Sequence, residues 1–287
     1  MAAPELIRRR ASTSIRRAIG LAPSRLQPCL DPSESYFPVD GVSRIVHGDL
    51  SSMLVGGLGS LFFQMLHPHS MAGVAQHSRY KSDPRGRLLQ TANFIGRTTY
   101  GTSTTAHADI KRVLTVHQAV RGVADDGEPY FANDPHLLAW VHACEVSMFL
   151  RGYQNFGALT LSKDDADSYV NEMATLARDL GAENPPTSVR ELDEQLESYR
   201  PELRLSADAL AARDFVTHGY MDTAAQRAVY RVLVDSALDL LNPWAKDLLE
   251  MPVTPVRSRL FTRPATHVVC WTMHQLIPPP TRVRLSG

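Results

Sequence analysis

Eleven histidines are spread unevenly along the 287-residue chain, and one of them sits where an imidazole can do chemistry. His117 continues the apolar stripe set by Ile110, Val113, Leu114 and Val120, so a helix here points its ring towards the core. Arg121 follows four residues later and shares that face on a helix running from about Ala106 to Gly122. Two readings fit. In one, His117 is a core histidine bonded to a carbonyl, with Arg121 in an ion pair. In the other, a neutral imidazole on an apolar face binds haem iron, and the arginine neutralises a propionate that would be costly to bury alone. A second pair, Arg87 and Thr91 in the run RLLQT, is also four residues apart. It reads either as an exposed arginine with a helical neighbour or as a polar doublet over a cofactor. In the second case the guanidinium binds an anion or bound dioxygen, and the hydroxyl donates a hydrogen bond.

Other chemistries lose support. His107-Ala108-Asp109 matches the start of a non-haem iron triad, but it falls in a helical pattern and that chemistry usually sits on β-rich scaffolds. No HExxH, Glu-x-x-His, GxGxxG, GxxxxGK[ST] or GxSxG occurs. The metalloprotease, di-iron bundle, dinucleotide, P-loop and serine-hydrolase classes therefore lack their signatures. Cys29, Cys144 and Cys270 are far apart and odd in number, which favours a reducing compartment over a disulfide framework. The absence of CxxCH excludes covalent c-type haem.

The elements that must position these residues are helical. Hydrophobic residues at 44% and charged residues at 21% fit a soluble globular protein. Apolar residues recur at three- and four-residue spacing over Val42–Leu66, interrupted by Gly56, Gly57 and Gly59, which let another backbone or a flat ligand approach. Pro68 should end or kink that helix. Further helices are expected over 86–94, 106–122, 135–153, 162–180, 189–199, 207–216, 223–241 and 253–276. Asp126-Gly127 lies between helices and reads as a loop. The expected architecture is a single all-α domain over 41–277, with a mobile basic arm at 1–40 and an extended tail at 278–287. Thirty basic and thirty acidic residues cancel, so no field advertises nucleic-acid binding. The charges are nevertheless segregated: six arginines in 1–28, and five arginines with no acid after Glu250. Such basic ends, the N-terminal arm above all, offer a weak contact to an anionic membrane or an acidic partner, although a solvated tail is the commoner outcome. The most apolar run, Met53–Leu66, is too short to span a bilayer, and no export signal follows the arginine pairs, so a cytoplasmic location is expected.

Taken in order, these residues resemble the MpaB-type oxygenases and the catalytic domain of the latex-clearing (rubber) oxygenases. The run comprises the Gly-rich apolar helix, HPHSMAGVAQHS from His67 to Ser78, Asp83-Pro84 with RLLQT, His117-x-x-Val120-Arg121-Gly122, and Asp134-Pro135 with Trp140-Val141-His142. The resemblance implies an all-α fold enclosing a pocket for haem b, its iron held without covalent attachment. It also implies dioxygen-dependent oxidation or cleavage of a C=C bond in an apolar, isoprenoid or lipid-like substrate. By position, His117 looks like the proximal iron ligand, Arg87 and Thr91 like the catalytic polar pair, and Arg121 like the arginine one turn beyond the ligand. His67 and His77 match recurring positions and are grouped with the cofactor-binding residues; His142 matches another. The rubber enzymes carry a lysine just before the threonine that can cap the distal side, whereas this chain has Gln90. A haem-binding sensor or storage protein, or a helical protein that has lost its cofactor, are the alternatives.

Overall fold

The computed structural model describes residues 28–219 and 221–279, so the expected arm enters only from Pro28 and the expected tail only to Pro279. Residues 28–40 are bound to the domain. Phe37 lies in the main core, Ser35 bridges to Thr102, and the Tyr36 hydroxyl donates to Asp179 at 2.6 Å.

The expected Val42–Leu66 helix is two helices, α1 (Val42–Gly48) and α2 (Leu50–Gln64), bent by 88° at Asp49. No proline is needed for this break. Asp49 adopts extended backbone and caps α2, and its Oδ1 accepts from the Ser51 and Ser52 amides at 3.2 Å. The carboxylate is fully buried, and its remaining lone pairs are filled by the Ser51 hydroxyl, the Ala158 amide and His274 Nε2. Pro68 then sits in the first turn of α3 (Pro68–His77), after a break at Met65–His67.

Next comes a helical hairpin, α4 (Pro84–Tyr100) and α5 (Ser103–Ala119), turned at Gly101–Thr102. Both helices differ from expectation. α4 extends six residues further than the 86–94 pattern, to Tyr100. α5 stops at Ala119, before Gly122, because Val120 turns extended and leads into a β-hairpin. Strands β1 (Arg121–Val123) and β2 (Pro129–Phe131) pair antiparallel, with Gly122 opposite Tyr130 and Gly127 at φ +85° in the turn. Asp126-Gly127 therefore closes a hairpin instead of forming a plain loop. The strands were too short to show alternation.

Helix α6 (Pro135–Phe156) is the axis of the molecule, about 33 Å long. Asp134 caps it and Pro135 opens it, as the sequence indicated. α2 runs antiparallel along it: a Cβ on Gly152 would meet Ser52 O, one on Gly56 would meet Met148 O, and the Trp140 indole donates to Gln64 O. Gly56 and Gly152 thus serve backbone approach between these two helices, while Gly59 makes room for the Met148 side chain. Around them pack α7 (Lys163–Asp179, with a Ser162/Asp165 capping box), α8 (Val189–Ser198), α9 (Ala207–His218) and α10 (Ala224–Leu240, capped by Thr223). The chain closes with α11 (Pro243–Leu248), α12 (Pro255–Arg257), a π turn at Ser258–Thr262 and α13 (Arg263–Leu276). Among the described residues the fold is all-α apart from this one hairpin. Among the described residues no single helix is long and apolar enough to cross a membrane.

Candidate functional site

His117 lies in the last turn of α5 and Arg87 in the first turn of α4. The two are set about equally far from the α4–α5 turn, 14 residues back and 15 forward of Gly101–Thr102, so an antiparallel hairpin places them level with each other. The electrostatics agree. His117 is held below the ordinary imidazole range, first by burial and then by the Arg87 cation. The ring is therefore neutral at pH 7. Its Nδ1 is buried without a hydrogen-bond partner, and among the described residues the other ring nitrogen makes no hydrogen bond either. The residue as a whole is half-buried, but a buried ring nitrogen with no protein partner is uncommon, because an uncommitted polar atom costs desolvation. The carbonyl-bonded core histidine is thus not what is observed.

Arg87 reaches a third group. Glu145, on α6, is pushed above the usual carboxylate range by burial, while the Gln64 amide and the Arg87 cation pull it back. Gln64 Nε2 stands 3.4 Å from Glu145 Oε1 and 2.6 Å from Ser60 Oγ. Arg87 therefore lies within electrostatic reach of both the imidazole and the carboxyl, and α2, α4, α5 and α6 face a common region. Neither α4 nor α5 packs closely along α2 or α6. Each of the four helices carries a half-buried stripe: Leu54, Leu58 and Gln64 on α2, Leu88, Thr91 and Ile95 on α4, Leu114 and His117 on α5, and Val141 and Glu145 on α6.

Glu145 was not singled out in the sequence, although a signal existed: it is the sole acid in α6. One turn earlier lies His142, buried, with Nε2 unpartnered and its pKa pushed down to about 4 by burial. Thr91 is half-buried, and its hydroxyl donates to its own helix at Arg87 O (3.2 Å), which leaves only lone pairs for any other partner. Gln90 is exposed.

The remaining expected residues lie apart. Arg121 is exposed on β1, so it is not one helical turn beyond His117; the early end of α5 removes that geometry. His77 is exposed and bonds through Nε2 to Arg121 O at 3.2 Å, tying α3 to the strand that follows His117. His67 caps α3, accepting from the His69 amide, and is buried against Trp140 and Tyr199 with Glu202 at 3.4 Å. Burial pushes its pKa down to about 4. No contact among the described residues links His67 or His77 to His117 or Arg87. The His107/Asp109 pair diverges: His107 binds Ser103 O, whereas buried Asp109 pairs with Arg97 and Arg112. Among the described residues no three His, Cys, Asp or Glu side chains are placed to hold a metal ion.

The site thus described is a neutral histidine without a protein partner, within electrostatic reach of a cation, in an all-α domain. The family model described as ER-bound oxygenase mpaB/B'/rubber oxygenase, catalytic domain, matches residues 44–274, about four-fifths of the chain. The chain belongs to this family, and its class is that of an oxygenase catalytic domain. No curated protein and no solved structure matches the chain.

Proposed function

We propose that this chain is a haem b-dependent oxygenase that oxidises or cleaves a C=C bond of an apolar isoprenoid or lipid-like substrate with dioxygen. The observation that carries this reading is the half-buried, neutral His117, whose Nδ1 is buried without a protein partner, within electrostatic reach of Arg87. The residues fit such a group. A metal bound here needs ligands beyond the protein, since no polydentate cluster is present among the described residues; a porphyrin supplies four nitrogens and asks the protein for one. His117 would hold the iron, Arg87 would face a propionate or another anion, and the apolar stripes would flank the macrocycle. When bound, haem supplies the iron chemistry that activates dioxygen.

The chain's own groups do the rest. Leu54, Leu58, Leu114 and Val141 exclude water and accept an apolar substrate. Arg87, itself exposed, keeps a fixed positive charge at the solvent edge of this region, where an anionic group would meet it. Burial makes the Glu145 carboxyl a stronger proton acceptor than a free carboxylate, while the Gln64 amide and the Arg87 cation oppose that shift. Thr91 orients through its lone pairs.

The test begins with an absorption spectrum of protein from haem-fed cells, followed by pyridine extraction to identify haem b. A Soret band that is lost or displaced in His117→Ala supports the assignment. A haem-loaded variant with an unchanged iron spectrum refutes it, and a colourless wild-type preparation refutes haem dependence. One observation favours a second reading, haem binding without turnover: the Thr91 proton is committed to its own helix. Dioxygen consumption on adding an olefin separates the two.

A further inference from the structure

The C-terminal helical run is inside out. A surface helix ordinarily turns its apolar stripe to the core. Here the buried stripe is small and mostly polar: Ser258, Thr262, Thr266 and Cys270, continued by His274 on Asp49 at 2.9 Å. Thr266 bonds to Ser236 within the core. Arg257 and Arg263 pin the edges to Asp235 (2.6 Å) and Asp239 (2.8 Å) of α10. The helix is thus firmly held through polar contacts. Its large apolar residues point away: Val256 (68% exposed), Leu260 (61%), Phe261 (68%), Val268 (64%) and Trp271 (64%). They fall within 16 residues and form one outward surface.

Charge says what meets that surface. From Met251 to the last residue the chain has five arginines and no acid, and of these Arg257 and Arg263 are already paired with Asp235 and Asp239. Arg259 stands exposed among the apolar residues, and Arg282 and Arg284 follow in the sequence. A two-fold contact through this face would bring Arg259 of one copy towards Arg259 of the other with no acid on the face to pair them. An anionic lipid surface meets them with opposite charge and takes Trp, Phe and Leu into its headgroup boundary. We infer that the outer face of Val256–Trp271 docks this protein on an anionic membrane surface. The docking is peripheral, and it is independent of the haem reading.

The experiment uses the full chain with vesicles of phosphatidylcholine alone and of an equal mixture with phosphatidylserine. The protein should float with the mixture and much less with phosphatidylcholine. Trp140 is buried and Trp244 is bonded to Glu197, so Trp271 should report contact by a blue shift and by quenching from brominated acyl chains. The double variant L260S/F261S should partition about tenfold less per residue changed. R259E should weaken binding to the mixture alone. Unchanged haem loading or circular dichroism in these surface variants shows that the fold is intact. Three results overturn the inference: no flotation of the wild type, flotation of L260S/F261S equal to wild type (which would assign binding to the basic N-terminal residues), or a concentration-dependent dimer lost in L260S/F261S without vesicle binding.

Discussion

Gly56 and Gly57 are neighbours on α2, yet the same substitution should act on them with opposite sign. A methyl group at Gly56 would stand 2.7 Å from the Met148 carbonyl oxygen and 2.9 Å from Phe149 Cα, both in the backbone of α6. Carbon atoms rest at about 3.5–4.0 Å, so the two central helices would have to part by more than half an ångström. Neither atom belongs to a side chain that can swing aside. At Gly57 a methyl group meets only Phe149 Cε1, at 3.9 Å, which is ordinary contact. Replacing a helical glycine with alanine gains about 0.5–1 kcal/mol of backbone entropy. Gly57→Ala should keep that gain. Gly56→Ala should lose it to overpacking of about 1–3 kcal/mol, for a net loss of about 1–2 kcal/mol. The two midpoints of urea unfolding, followed by circular dichroism on haem-free protein, should therefore separate in opposite directions from wild type at unchanged slope. Midpoints that move together would refute the close α2–α6 contact, and with it the placement of Gln64 and Glu145 across from each other.

Asp49→Ala should cost about 3–5 kcal/mol in the same assay, because it leaves buried donors at Ser51, Ser52 and Ala158 without an acceptor; Asp49→Asn, which keeps a carbonyl oxygen, should cost less. Half-buried His47 and buried His142 are pushed down to about 3 and about 4 by desolvation, so below pH ~6.5 the unfolded chain takes up their protons first. Stability should be full above that pH and fall towards pH 4 by about 1.4 kcal/mol per unit for each histidine, and His142→Leu should flatten the acid limb of a denaturation series. Arg87→Leu removes one of the two influences that depress His117, so the His117 pKa should rise in an NMR titration of haem-free protein. An unmoved titration would show that the two residues do not share a pocket.

Much of the helical framework is local chemistry and was legible in order. Asp134-Pro135 starts α6, Ser162 with Asp165 starts α7, and Thr223 with Gln226 starts α10, because these caps satisfy amides within three residues of themselves. α11 was missed because the six residues from Pro243 to Leu248 carry too little periodicity. The candidate site was half legible. His117 and Arg87 stood out by type and spacing on one hairpin, whereas Glu145 takes its meaning from Gln64 and Arg87, 81 and 58 positions away in the chain.

By itself the sequence determined that the chain is helical, where most helices begin, and which imidazole lies on an apolar face, since each follows from contacts spanning a few residues. Only the tertiary structure decided the bend at Asp49, the hairpin that carries Arg121 out to the surface, the convergence of Arg87, His117 and Glu145, and the outward turn of Phe261 and Trp271. Those features depend on which distant segment supplies an acceptor, a charge or a neighbouring surface. Periodicity reveals that a helix has an apolar face; the rest of the fold decides whether that face meets the core.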